Sequence, residues 1–128
     1  MIKKLSTDEQ GLEEAASVLK VLADPNRLRI FGLLMQGDSC NCELNETLGL
    51  PPNLLSHHLR VLREAGLVHS RRDAVDGRWI YYSVDKETVA RWYAWFTGFL
   101  DPARVQERAV LCGPEGQQVT VTPAPIAE

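Results

Sequence analysis

No run in this chain of 128 residues approaches the length a helix needs to cross a bilayer. The first residues, MIKKLSTDEQGLEEAAS, lack the apolar stretch of a secretory signal, because acids follow the two lysines almost at once. The expectation is a cytoplasmic protein with no membrane contact. Cysteine is scarce, with three residues, Cys40, Cys42 and Cys112. In that compartment they are expected as reduced thiols, open to metals or oxidants, rather than as a disulfide framework. Internal repeats and low-complexity tracts are missing. So are a Cys-X-X-Cys redox pair, a glycine-rich phosphate loop and a nucleophile-base-acid set, which leaves an enzyme, such as a thiol-dependent reductase, with little support.

A basic excess is missing as well, since the formal net charge is -3. The charge is unevenly spread, however. Ser56 to Trp79 holds five arginines against three acids, while the rest of the chain carries nine basic and fourteen acidic residues. Local charge is what meets phosphate, so nucleic-acid binding is permitted but not demonstrated by composition. With 45% apolar and 24% charged residues the composition is globular, and the length suits one domain, so any further contact surface has to come from a second copy or a partner.

Leu12, Ala15, Leu19 and Leu22 fall at helical spacing and predict a first helix from about Thr7 to Leu22. Asp24-Pro25 reads as the cap and first position of a second helix, with Leu28, Ile30, Phe31, Leu33 and Leu34 as core material before Gly37 ends it. A short third helix runs from about Cys40 to Leu48 and stops at Gly49. Leu50-Pro51-Pro52 then turns tightly into a fourth, in which Leu55, Leu59 and Leu62 form the buried stripe. Two β-rich runs follow, Leu67 to Arg72 and Arg78 to Val84, with Asp76-Gly77 in their connection. Helix, tight turn, helix and hairpin make a winged helix-turn-helix, so the fold class is mostly α with a small β-hairpin, in the order α1-α2-α3-α4-β-β-α5.

A fifth helix after Asp85 carries Val89, Trp92, Trp95, Phe96 and Phe99 over more than one face, more apolar surface than so small a chain covers alone. A homodimer joined through the first and last helices is expected. Asp101-Pro102 is expected to start one more short helix, ending near Cys112-Gly113. The domain expectation is therefore 1–112 for the DNA-binding and dimerisation domain and 113–128 for a flexible, Pro-rich tail.

The second helix of a helix-turn-helix enters the major groove, where arginine can hold two acceptors of guanine and hydroxyl, imidazole or amide groups serve bases or phosphate. On the fourth helix that makes Ser56, His57 and Arg60 the reading residues, with Asn53 and Arg63 beside them. Arg71, Arg72 and Arg78 flank the hairpin turn and would lie along the sugar-phosphate backbone of double-stranded DNA, although Asp73 and Asp76 keep the wing from being a simple basic grip. His58 is expected to be structural, and His69 is uncommitted.

Cys40 and Cys42, in DSCNCEL, form the second constellation. Soft thiolates suit As(III), Sb(III), Cd(II), Pb(II) or Zn(II). Residues i and i+2 of an α-helix point about 200° apart, so ion binding by both is expected to distort the start of the third helix. The rival reading makes either cysteine a small buried hydrophobe. Cys112 is a candidate third thiolate.

Three segments, LADPNRLRI from Leu22 to Ile30, SHHLRVLREAGLV from Ser56 to Val68 and GRWIYY from Gly77 to Tyr82, together resemble the ArsR/SmtB family of metal-responsive repressors over roughly Glu13 to Leu100. Cys40-Asn41-Cys42-Glu43-Leu44 resembles the signature of its arsenic and cadmium/lead sensors. The resemblance implies a homodimeric repressor, induced by As(III) or Sb(III), or alternatively by Cd(II)/Pb(II) or thiol oxidation. The chain departs from the pattern at Asn45, where some arsenic sensors carry a further cysteine. It also has no histidine in the helix after Asp85, which argues against the zinc or nickel site of other members.

Overall fold

A computed structural model describes residues 8–108 and 110–114. The expected start of the first helix at Thr7, and residues 115–128 of the expected tail, lie outside the described residues. The chain divides into a unit ending at Trp95 and a second beginning at Phe96.

In the first unit every helix start has a visible cause. Asp8 caps α1 (Glu9–Leu22) by accepting from the Gly11 amide at 2.9 Å, and Asp24 caps α2 (Pro25–Met35) through the amides of Asn26 and Arg27. Each cap supplies an oxygen to amides that the helix itself leaves without partners. Strand β1 (Ser39–Cys40) leads directly into α3 (Asn41–Leu48). Gly49 then adopts the left-handed conformation, φ 65°, and donates its amide to the Asn45 carbonyl, a termination that a side chain would disfavour. Pro52 opens α4 (Pro52–Glu64), where its missing N–H leaves nothing unsatisfied.

The buried stripe expected on α4 is present: Leu55, Leu59 and Leu62 are all buried, alongside Ile30, Leu34, Leu44, Leu67 and Val68. Burial of one such side chain is worth about 1.5–3 kcal/mol relative to exposure, so this cluster is the main reason the helix-turn-helix holds together. Trp92 and Trp95 of α5 (Lys86–Phe99) are also buried and meet edge to face, with ring centroids 5.9 Å apart.

Two expectations are corrected here. Leu28 is 52% exposed, because the inward face of α2 is carried by Ile30 and Leu34, four positions apart. The sheet has three strands rather than two, in the order β1-β3-β2, with β2 (Val68–Arg72) and β3 (Ile80–Val84) forming the hairpin. β1 is antiparallel to β3, placing Ser39 opposite Tyr82 and Cys40 opposite Tyr81. Two residues are too few to show a strand period in sequence.

In the second unit, Pro102–Arg104 form a single 3-10 turn capped by Asp101, and Arg104 donates to the carbonyls of Gly98 and Phe99 at 2.9 and 3.1 Å. The longer helix expected towards Cys112 is absent from the described residues. Val105 is 81% and Leu111 88% exposed, so that segment lacks the buried face that sustains a short helix.

Candidate nucleic-acid interface and thiol site

On α4 the apolar stripe turns Asn53, Ser56, His57, Arg60 and Arg63 outward, and all five are exposed. Arginine can only donate, so His57 Nδ1 is the acceptor in its 3.1 Å contact with Arg60 Nη2. That bond holds two of the expected reading residues side by side. Arg63 is placed differently: its Nη1 donates to Ser70 Oγ at 3.1 Å, tying the end of α4 to β2. The burial of Tyr82 raises its phenol above the usual value, and the charges of Arg63 and Arg72 draw it back.

The acids of the wing build its turn. Asp73 Oδ2 accepts from the amides of Val75 and Asp76, which holds its carboxyl below the usual range. Asp76 binds the Arg78 guanidinium at 2.8 Å and accepts the Arg78 amide, and Arg78 is the chief cause of its lowered pKa. Arg78 is thus already paired with a carboxylate. Arg72 donates to the Gly77 carbonyl at 2.6 Å, while the Arg71 guanidinium lies 4.5 Å from the centre of the Tyr81 ring. Of the three wing arginines, Arg71 keeps its donors and its charge freest for phosphate among the bonds described.

Cys40 is the buried N-cap of α3. Its Sγ accepts from the Glu43 amide at 3.4 Å, and Glu43 Oε1 accepts from the Cys40 amide at 3.2 Å. This is a capping box with cysteine in the position usual for serine or threonine. Cys42 is exposed, so the two thiols face different surroundings; Cys40 precedes the helix with an extended backbone, so this follows from its place at the cap and not from helical spacing. Asn41, between them, accepts from the Ile80 amide through Oδ1 at 3.3 Å, a second tie to β3. Both the box and this tie were missed from sequence. The Cys-X-X-Glu spacing signals the box alone, and nothing local in the sequence signals a tie between positions 39 apart. Cys112 is exposed in a bend of the second unit. Among the described residues no group of three or more His, Cys, Asp or Glu side chains is placed to hold an ion.

His58, expected as structural, is buried and takes a hydrogen bond from Arg27. His69 Nε2 pairs with Asp85 at 2.8 Å, and Asp85 also accepts the Thr88 amide, the first cause of its lowered pKa. No helix among the described residues is long and apolar enough to cross a membrane.

Residues 24–70 match the family model for bacterial regulatory proteins of the arsR family. The chain is 42% identical to the arsenic resistance transcriptional regulator ArsR1 of Pseudomonas putida, over 59% of this chain and 56% of that one. Identity to the transcriptional repressor SmtB homolog of Synechocystis is 33%, over 72% and 70% of the two chains. It is also 33% to the cadmium resistance regulatory protein CadC homolog of Staphylococcus aureus, over 63% and 65%. Among solved structures, a possible transcriptional regulator for arsenical resistance aligns with a TM-score of 0.57 and 38% identity, covering 66% of this chain and 85% of that one. A winged helix-turn-helix with this sequence kinship makes the chain a member of the ArsR/SmtB family, transcriptional regulators that act by binding DNA and not by catalysis.

Proposed function

We propose that the chain is a metal(loid)-responsive repressor that holds double-stranded operator DNA as a homodimer and releases it when the thiolates of Cys40 and Cys42 take a thiophilic ion, As(III) or Sb(III). The observation that carries this reading is the position of Cys40: its sulfur caps the first motif helix, α3, and its backbone pairs with the wing.

The donor chemistry fits. Two thiols one residue apart are soft ligands suited to such ions and poorly suited to hard cations. Bound there, the ion would supply strong bonds to sulfur. What the protein does in response follows from its own bonds. Cys40 Sγ is buried at the cap while Cys42 is exposed, so the two sulfurs can share one ion only if one or both side chains turn towards the other. In this reading that turn strains the capping box and opens the first turn of α3. That helix touches α4 and β3, so its opening reaches the DNA-reading face and the wing together.

In this reading Ser56, His57 and Arg60, with Asn53, read base edges, while Arg63, Arg71, Arg72 and Arg78 contact the backbone. Leu12 and Leu19, about two helical turns apart on the outer face of α1, are exposed, and a partner's α1 and α5 would cover them. A second reading keeps the fold and makes the thiols respond to Cd(II), Pb(II) or oxidants, and the cadmium-resistance relative favours it. Competitive titration of the reduced, duplex-bound protein with As(III), Sb(III), Cd(II), Pb(II) and peroxide separates the two. Release by As(III) or Sb(III) at the lowest concentration supports the first reading.

A further inference from the structure

The contact between α2 and α4 contains an arrangement that thiol chemistry does not use. His58 is 4% exposed, on the inward face of the helix whose outward face carries Ser56, His57 and Arg60. Its Nδ1 lies 3.1 Å from Arg27 Nη1, and its Nε2 lies 4.0 Å from Asp24 Oδ1. Arg27 in turn donates through Nε to the Val21 carbonyl at 2.6 Å, so it joins the last turn of α1 to the same ring. Asp24 is held by its cap bonds to the amides of Asn26 and Arg27. Both groups that face the ring are thereby fixed from outside it.

This geometry selects one protonation state. A guanidinium has no lone pair to offer, so Nδ1 must be the unprotonated acceptor and the ring proton must sit on Nε2, directed at the Asp24 carboxylate. We propose that His58 is a positioning residue for DNA binding: as the neutral Nε2–H tautomer it seats the recognition helix on α1 and α2 through Arg27 and Asp24, and a second ring proton unseats it. A proton on Nδ1 would point at Arg27 Nη1 with no acceptor, bringing two cations together in a buried space.

The titratable and charged groups acting on the ring are Asp24 and Arg27 of α2 and His57 of α4, whose ring centroid is 5.5 Å away. Burial, Arg27 and His57 disfavour the second proton, and Asp24 favours it. Burial is the largest of these, and the net effect is a pKa below the ordinary 6.5. The sign follows from linkage. As pH falls below 6.5 the unfolded chain takes up a proton that the folded ring resists, so the contribution of His58 is complete above 6.5 and is lost from there down to the folded-state value.

The inference rests on the reading of α4 as the DNA-contacting helix, and the test separates the two. The probe is a fluorescein-labelled duplex recovered with the wild-type protein from a random-sequence library, and affinity is read by anisotropy between about pH 7.5 and about pH 5. His58→Gln keeps one acceptor and one donor but cannot titrate, whereas His58→Leu keeps bulk alone. Leu is expected to bind about tenfold more weakly near neutrality, with Gln restoring most of that loss. On acidification, wild type is expected to weaken about threefold more than His58→Gln, a ratio from which the exposed His57, common to both, cancels. Long-range proton–nitrogen NMR of the imidazole should show the Nε2–H tautomer near neutrality, whether or not the leucine variant folds. Superimposable pH profiles for wild type and His58→Gln, or an Nδ1–H tautomer, would overturn the proposal. Failure of the wild type to bind any duplex would instead overturn the reading of α4.

Discussion

Cys40 stands opposite Tyr81 in the antiparallel register of β1 and β3, and the Arg71 guanidinium lies 4.5 Å from the centre of that same Tyr81 ring. A cysteine of the thiol pair and the wing arginine with the fewest internal bonds are thus separated by a single residue. The backbone at Cys40 is tied both to the strand that carries the wing and to the start of α3.

The cap role of Cys40 separates stability from sensing. Cys40→Ser replaces sulfur with a better capping oxygen and should fold at least as stably as wild type, whereas Cys40→Ala should lose about 1 kcal/mol. Cys42→Ser, at an exposed position, should leave stability within about 0.5 kcal/mol. Denaturant melts of the three variants check this, and equal stability for the serine and alanine variants at position 40 would refute the capping role.

The wing arginines should differ. Arg71→Ala is expected to lower the slope of log affinity against log salt by about one, as loss of one phosphate contact does. Arg78→Ala, whose charge Asp76 already partners, should change the slope by less than half as much. Arg60→Ala should cost about 1–3 kcal/mol of discrimination at one base pair if it holds guanine. Salt titrations with the selected duplex and single-base variants of it measure all three.

A charge on the outer face of α1 tests the dimer. Leu19 is 53% exposed, so Leu19→Glu should leave the fold intact, yet sedimentation should show a monomer and duplex affinity should fall by at least about tenfold. A dimeric Leu19→Glu variant would place the partner surface elsewhere.

The fold should also weaken on the acid side. Asp85, capping α5 and paired with His69, has its carboxyl held below 3.8. Stability from this group is complete above 3.8 and is lost as pH falls through the folded-state value. Asp85→Ala should cost about 1 kcal/mol near neutrality from the lost cap, and its thermal midpoint should fall less steeply than that of wild type as pH drops below about 4.

The parts of this molecule that obey a period were readable before its structure was. Leu55, Leu59 and Leu62 repeat along α4, so its buried and exposed faces followed, and Asp24-Pro25 announced the start of α2 through cap chemistry. What escaped depends on contacts between distant positions. β1 has only Ser39 and Cys40, and its partner is Tyr81-Tyr82, some forty residues on. The ring of His58 is set by Arg27 and Asp24, which no local spacing connects to it. The segment after Asp101 erred the other way, since a good cap at Asp101-Pro102 promised a helix that exposed Val105 and Leu111 do not support.

The most direct test of the central claim is operator binding by the reduced protein, followed by anisotropy while As(III) is added, for wild type, Cys40→Ser and Cys42→Ser. The account predicts that stoichiometric As(III) releases the wild type from the duplex, lowering affinity by at least about tenfold, while both serine variants stay bound with near wild-type starting affinity. An unchanged wild-type affinity, or release of both variants along with it, would contradict the account.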